Sequence, residues 1–311
     1  MRLLITGASG FIGRNLLLAT DPGWTVFALY RRATGFPEWL RANQLAHVEP
    51  LRGDLAKVEE AQAIGRTLRG SVDAIVHLAA NGDPAVSVRE PLGDLINGPG
   101  ALIALLTSLE CDRFVYFSSG AVYDGLKGLV GPETAVNPTL PYAISKLSCE
   151  HYVRHFREAG RIGSYVIVRF FGAYGPYEPE RKIYTRLVRW GVESSSEPFD
   201  IRGNGENLID AMYVSDAARA ILLMVRATSA DEVVDLGSGA PMTINDLVIR
   251  ACRILGRSNA RIRHVGGVPE YIQFSTSTDK MERLYGFRPA VTLDEGLMRL
   301  RSHLEQVGAA R

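Results

Sequence analysis

The sequence predicts an α/β chain built on a doubly wound parallel sheet, and three observations lead there. The chain opens on a short apolar run, Leu3–Ile5, too short for a helix and suited to a buried strand. The segment TGASGFIG (6–13) then turns this run into a helically spaced set, Phe11, Ile12, Leu16 and Leu17. Apolar runs go on alternating with helical stretches to about residue 170, which indicates parallel strands covered on both faces.

The first turn carries glycines at Gly7, Gly10 and Gly13. Glycine fits a tight turn, lets the backbone approach a ligand closely, and lets a helix pack on a strand. Free N–H groups at the start of the following helix attract an anion, most simply a pyrophosphate. Further strands are predicted at Thr25–Tyr30, His47–Leu51, Ala74–Leu78, Phe114–Ser118 and Ser164–Phe170. Helices are predicted near Lys57–Leu68, Leu92–Leu109 and Tyr142–Arg157. After about residue 175 the elements shorten, punctuated by Pro176, Pro179, Pro198 and the run Glu193–Glu197, as expected of a smaller region over the sheet edge. The last residues, Gly308–Arg311, are expected to fray.

Composition removes several function classes. With 35 basic and 34 acidic residues in 311, the net charge of +1 gives no electrostatic footprint for nucleic acid or an acidic membrane. No apolar stretch approaches the roughly 20 residues that span a bilayer. The opening MRLLITG reads as a strand, so no signal peptide is expected. Cys111, Cys149 and Cys252 are odd in number and far apart, which supports neither a disulfide framework nor zinc and points to the reducing cytoplasm. His151 and His155 are one helical turn apart without a third ligand, so they read as surface residues and no metal is expected.

The strand ends carry the chemistry. In a dinucleotide-binding fold, an acidic residue about 20 positions beyond the glycines grips the ribose hydroxyls of NAD. Here Arg31 and Arg32 stand in its place, and a guanidinium there binds a 2′-phosphate, which favours NADP(H) over the alternative NAD(H). Asp54, followed by Leu55, is placed to meet the adenine edge, and Ala79 and Ala80, small, let a cofactor lie against backbone. Ser118 and Ser119 end the next strand. Tyr142 and Lys146 are four apart and share one helical face. A cation beside a tyrosine favours the phenolate, so Tyr142 becomes a usable proton donor or acceptor, with Ser119 bonding the same substrate oxygen.

TGASGFIG, GDL, HLAA, FSSGAVY and YAISK, in this order and spacing, resemble the extended short-chain dehydrogenase/reductase family. Its best-known members are epimerases, dehydratases and ketoreductases of nucleotide-activated sugars. RFFGAYGP (169–176), MYVSDAARAI (212–221), LGSGAPMTINDLV (236–248) and YGFRPAVTLDEGL (285–297) extend the resemblance over nearly the whole chain. It implies a Rossmann-type NAD(P)-binding domain over 1–175, with elements near 207–240 returning to it, and a smaller substrate-binding region over most of 176–311. Tyr142 is implied as acid/base, Lys146 as its modulator and ribose contact, and Ser119 as the group polarising the reacting oxygen. Gly7, Ser9, Gly10, Phe11, Ile12 and Gly13 are implied around the pyrophosphate, Leu78 beside Ala79 and Ala80, and the backbone near Phe170–Phe171 against the nicotinamide. The family's usual assembly is a homodimer through helices that here span about 92–109 and 142–157.

Three departures bear on the reaction. The family's RxxN reads Arg169 to Gly172 here, and its Arg-Asp pair before the YVxD segment reads Ile209-Asp210. Both substitutions remove expected substrate contacts, so Asn81, Ser119, Gly172, Arg181 and Arg202 are the substrate-side candidates, the two arginines for a diphosphate. Gly120 and Ala121 replace the Asp-Glu pair of 4,6-dehydratases, which disfavours dehydration. The first expected activity is an NADPH-dependent 4-ketoreductase, the second a C4 epimerase holding NAD, and the third a non-catalytic binding or regulatory protein that retains the fold.

Overall fold

The structure, a computed structural model, describes residues 1–193, 197–228, 230–257, 261–267 and 272–309. Residues 194–196 of the predicted break and residues 310–311 of the predicted frayed end lie outside the described residues.

The chain begins β1 (Arg2–Thr6), α1 (Phe11–Leu18), β2 (Thr25–Tyr30), α2 (Phe36–Ala42), β3 (Val48–Arg52), α3 (Val58–Thr67) and β4 (Ser71–His77). It continues through α4 (Pro84–Arg89), α5 (Pro91–Leu95), a π-helical turn (Ile96–Gly100), α6 (Ala101–Ser108) and β5 (Glu110–Ser119). A 3₁₀ turn (Gly120–Tyr123), β6 (Lys127–Val130), α7 (Pro141–Glu158), β7 (Ile162–Phe170) and β8 (Ala173–Tyr174) follow. Next come α8 (Ile183–Val192), β9 (Phe199–Arg202), β10 (Leu208–Ile209), β11 (Met212–Tyr213), α9 (Val214–Arg226) and β12 (Glu232–Leu236). The last elements are β13 (Met242–Thr243), α10 (Ile244–Ile254), β14 (Ile262–Val265), β15 (Gln273–Thr276), α11 (Asp279–Tyr285) and α12 (Leu293–Ala309).

Seven strands form one parallel sheet in the order β12-β7-β5-β4-β1-β2-β3. Strand order reverses at β1, between β2 and β4, and ligands of such sheets bind outside the carboxyl ends at that point. Burial explains why β1 reads as unbroken apolar sequence: Leu3 and Ile5 join the cluster under α1 and α9, while Leu4 joins the one under α3, α6 and α7. A third cluster, with Tyr174, Leu187, Phe199, Leu247 and Leu297, joins α8, β9, α10 and α12.

The structure moves several predicted boundaries. β5 starts at Glu110 and β4 at Ser71, because exposed residues alternate with buried ones at both starts and dilute the apolar signal. The helix predicted over Leu92–Leu109 is broken by the π turn, which contains Pro99 between Gly98 and Gly100. Proline lacks the N–H that a regular turn needs there. The sequence pattern does not predict α2, whose seven residues are too few to show a helical repeat.

One buried acid makes stability pH-dependent. Glu178, after β8, accepts bonds from the Thr185 N–H (3.0 Å) and hydroxyl (2.6 Å). Burial pushes its carboxyl up to about 7 from an ordinary 4.5, against the lowering effect of those bonds. A raised carboxyl favours the folded state when protonated, so this contribution is present below about pH 4.5 and lost as pH rises through 7. Glu178→Gln should flatten the decline in Tm between pH 5 and 8, read by thermal unfolding at each pH. An unchanged slope would place the titration elsewhere.

Candidate active site

A groove of about 880 Å³ crosses the carboxyl end of the sheet at the switch point, within the size range of small-molecule sites. Gly7, Ser9 and Gly10 line one wall, and Arg31, Arg32, Asp54 and Leu55 line the end beside β2 and β3. Leu78, Ala79, Ala80 and Asn81, which follow β4, continue the lining beside Gly7. Gly7 has φ of +67°, and a Cβ on it would lie 2.9 Å from the Ala79 nitrogen. Gly13 is buried behind the turn, where a Cβ would meet the Gly7 and Ala8 carbonyls at 2.6 Å. The first glycine thus admits β4 and the third seats α1 on the turn. Phe11 and Ile12 start α1 and do not line the groove. No side chain caps α1, which leaves its first N–H groups for a ligand.

The floor is fixed by a buried relay. The Ala79 N–H donates to Thr6 Oγ1 (3.1 Å), and that hydroxyl meets His77 Nδ1 (3.0 Å). Burial, with Lys146 adding to it, pushes His77 down to about 3, so its imidazole stays neutral near physiological pH.

Tyr142 and Lys146 sit on one face of α7, with the Lys146 Nζ 5.8 Å from the centre of the Tyr142 ring. Lys146 donates to the Phe117 carbonyl (2.7 Å), and the Tyr142 N–H donates to Ser87 Oγ (3.0 Å). Both line a small cavity of about 10 Å³, whose wall also holds Ala79, Ala80, Asn81 and Asp94, residues shared with the groove. Ser119 caps the 3₁₀ turn, its Oγ accepting from the Ala121 N–H at 3.1 Å, which leaves the hydroxyl proton for another acceptor. Tyr142 and Lys146 thus bring a proton-transferring pair to one cavity, whereas Ser119, at the end of β5, lines neither that cavity nor the groove.

Behind it, Glu150 on α7 is fully buried and accepts from Ser118 Oγ (2.6 Å) and from Arg169 Nε and Nη2 (3.1 and 3.0 Å). Arg169 also donates to the Tyr123 hydroxyl (3.0 Å), which donates to Asp235 (2.9 Å). One polar network therefore ties α7, β5, β7 and β12 together. In sequence, Arg169 is visible only as the first residue of a substrate motif.

Other predicted residues fall differently. Arg31 is not free: it lies 3.6 Å from Asp54 and donates to Asn97 Oδ1 (2.7 Å). Arg181 pairs with Asp83 at 3.3 Å across the loops bordering the site. Arg202 is exposed at the end of β9, outside both cavities. Phe170 packs on Phe117, and Phe171 against Tyr123 and Phe274, also outside both cavities. Gly172, at φ +144°, leaves space only to the Ala211 side chain, 3.3 Å from a Cβ there. Ile209, in β10, stands in place of the second missing contact, and Asp210 beside it accepts from the Ser238 N–H at 2.7 Å.

A sequence model of the NAD dependent epimerase/dehydratase family matches residues 3–237. The chain belongs to this family. It is 27% identical to a dTDP-glucose 4,6-dehydratase of Streptomyces niveus over 96% of this chain and 91% of that one. In three dimensions it is similar to a UDP-glucuronic acid 4-epimerase of Bacillus cereus solved with UDP-4-deoxy-4-fluoro-glucuronic acid and NAD. That match has a TM-score of 0.88 and 25% identity, covering 99% of this chain and 100% of that one. A UDP-glucose 4-epimerase of Thermotoga maritima, solved with UDP-glucose, matches with TM-score 0.87 and 26% identity over 99% of each chain.

The residues present fit the family's dinucleotide. The glycine turn leaves backbone close to the groove, the α1 N–H groups offer donors to phosphate, and Asp54 offers a carboxylate to hydroxyls. Among the described residues, no helix is long and apolar enough to cross a membrane.

Proposed function

We propose that this member of the NAD dependent epimerase/dehydratase family inverts C4 of a nucleoside diphosphate hexose through a 4-keto sugar, with NAD(H) in the groove. The observation that carries the reading is the shared wall: Tyr142 and Lys146 border the same Ala79–Asn81 segment that lines the groove. A nicotinamide bound in the groove would supply the acceptor for the C4 hydride and its return to the other face of the sugar. Tyr142 takes the C4 hydroxyl proton as the ketone forms and gives it back as the ketone is reduced. Lys146 stabilises the phenolate, and Ser119 donates to the same oxygen, a bond that strengthens as negative charge develops. UDP-sugars in the two solved relatives support a uridine nucleotide.

Dehydration, named for the Streptomyces relative, has no support at the step it needs, because Gly120 and Ala121 after Ser119 carry no proton-transfer group. The second reading is an NADPH-dependent 4-ketoreductase, carried by Arg31 and Arg32 at the end of β2, where no acid stands. What favours NAD is that Asp54 lies against Arg31, offsetting its charge. Denaturing the purified protein and identifying the released nucleotide separates them. Tightly held NAD with turnover of UDP-glucose or UDP-glucuronic acid supports epimerisation; dependence on added NADPH and a 4-keto sugar supports reduction. Arg31→Asp should then lower affinity for NADP by about tenfold or more relative to NAD, read by fluorescence titration.

On the substrate side the reading uses Asn81, Ser119 and Gly172 near the sugar, and Arg181 or Arg202 at the diphosphate, with 176–311 supplying most of the substrate region. Arg181 would exchange Asp83 for phosphate. Alanine at either arginine should raise KM more than it lowers kcat, since the contact is shared by ground and transition states. Normal KM in both variants would move the diphosphate elsewhere.

We also propose a cytoplasmic homodimer. Val88, Leu92, Leu95, Ile96, Ile144 and Tyr152 are exposed on α4, α5, the π turn and α7, an apolar surface suited to a second copy. Leu92→Glu should shift the mass seen by light scattering from dimer to monomer. The three cysteines are buried thiols, as a reducing compartment keeps them.

A further inference from the structure

We propose that Asp94 binds the ribose on the nicotinamide side of the dinucleotide through its Oδ2 atom. This rests on the dinucleotide reading above and names a contact that the sequence motifs did not assign.

Asp94 belongs to α5 and is 5% exposed. Its Oδ1 accepts from Asn81 Nδ2 at 2.9 Å, whereas its Oδ2, also buried, has no hydrogen-bond partner among the described residues. The Asn81 amide cannot turn to serve it. Asn81 Nδ2 also donates to the Asp83 carbonyl (3.0 Å), and its Oδ1 accepts from the Asp83 N–H (2.9 Å), which fixes the amide on both edges. A buried carboxylate oxygen without a donor is costly, and folded proteins rarely leave one so. Asp94 borders both the groove and the small cavity that holds Tyr142 and Lys146. The missing donor is therefore expected from what fills that junction.

The chemistry of a dinucleotide limits which of its groups that can be. Phosphates only accept. On the dinucleotide reading, the adenine amino group and the hydroxyls of the adenosine ribose lie at the end of the groove that Arg31 and Asp54 line. What reaches the tyrosine–lysine end is the ribose bearing the nicotinamide, whose hydroxyls donate, and the carboxamide. The hydroxyls suit this position best, because Lys146 spends one of its three donors on the Phe117 carbonyl and has others for the same ribose. A sugar hydroxyl can accept from the ammonium while it donates to the carboxylate. Hydrogen bonds to an ionised partner are the strong ones, so this contact would hold the ring and fix the dinucleotide's reactive end.

The test compares ADP, ADP-ribose and NAD by calorimetry on the full chain stripped of bound nucleotide, as wild type, Asp94→Ala and Asp94→Asn. ADP lacks the second ribose, ADP-ribose carries it without nicotinamide, and NAD carries both. Asp94→Ala should weaken ADP-ribose and NAD by roughly tenfold or more and leave ADP unchanged, with Asp94→Asn between. Unchanged ADP binding also reports that the groove is intact. Unchanged ADP-ribose binding would overturn the proposal and assign Oδ2 to a water, for which 10 Å³ is at the lower limit. Loss of NAD affinity alone would move the donor to the carboxamide, and equal loss for ADP would mean a disturbed groove; both overturn it too. Those three outcomes leave the dinucleotide reading standing. Only failure of the wild type to bind any of the three would overturn that reading, and this contact with it.

Discussion

Tyr142→Phe is expected to lower kcat by about 10²–10⁴-fold on a UDP-hexose, the range that general acid–base catalysis contributes. The substitution keeps the ring and removes only the hydroxyl. Tyr142 is held from its backbone by Ser87 and from its helix face by Lys146, not through its hydroxyl, so position and fold should survive. Steady-state assays should show kcat falling while KM and Tm change little. Lys146→Met is expected to lower kcat as well, and also to weaken dinucleotide binding, because that ammonium serves both the phenolate and the ribose. A Tyr142→Phe enzyme with native kcat across neutral pH would remove the hydroxyl from the chemistry.

The second large effect is on stability. Glu150→Leu should destabilise the fold by about 3–5 kcal/mol, the cost of leaving a buried partner charge uncompensated. Arg169 is 4% exposed and donates two of its hydrogen bonds to this carboxylate, and Ser118 loses its acceptor at the same time. Arg169→Met should cost a similar amount for the converse reason. The double variant is expected to be clearly less destabilised than the sum of the two, because neither charge is then stranded. Denaturant unfolding of the four proteins reads this directly, and additive losses would show that the two charges are not coupled. The network also joins the helix of Tyr142 to the strand end of Ser119, so loss of Glu150 should reduce kcat even in the fraction that stays folded.

The parts of the site legible in sequence are those whose chemistry is local in the chain. Gly7 to Gly13 turn a strand into a helix within eight residues, and Tyr142 and Lys146 need only one helical turn to face the same way. The parallel sheet was legible for a similar reason, since both faces of β1 are covered and its sequence is apolar without alternation. What sequence did not disclose depends on segments far apart. Arg31 read as a free phosphate ligand because Asn97, on the π turn, and Asp54, after β3, are 66 and 23 positions away and become its neighbours only through the fold. Arg181 reads in sequence as a diphosphate candidate, and no local pattern shows that Asp83, on a separate loop, pairs with it in the fold. Asp94 did leave a trace, an acid inside an otherwise apolar helical stretch, but its significance lies in an oxygen that none of the described residues satisfies.

The most direct measurement mixes the purified protein, without added cofactor, with UDP-glucose or UDP-glucuronic acid carrying deuterium at C4. Reduced-nicotinamide absorbance is followed in stopped flow and C4 configuration by NMR. The expected result is a transient reduced-nicotinamide signal slowed by the deuterium, a C4-inverted product that retains the label, and loss of both in Tyr142→Phe. Inversion without that signal or any isotope effect, or an unchanged signal in Tyr142→Phe, would contradict hydride chemistry at this site.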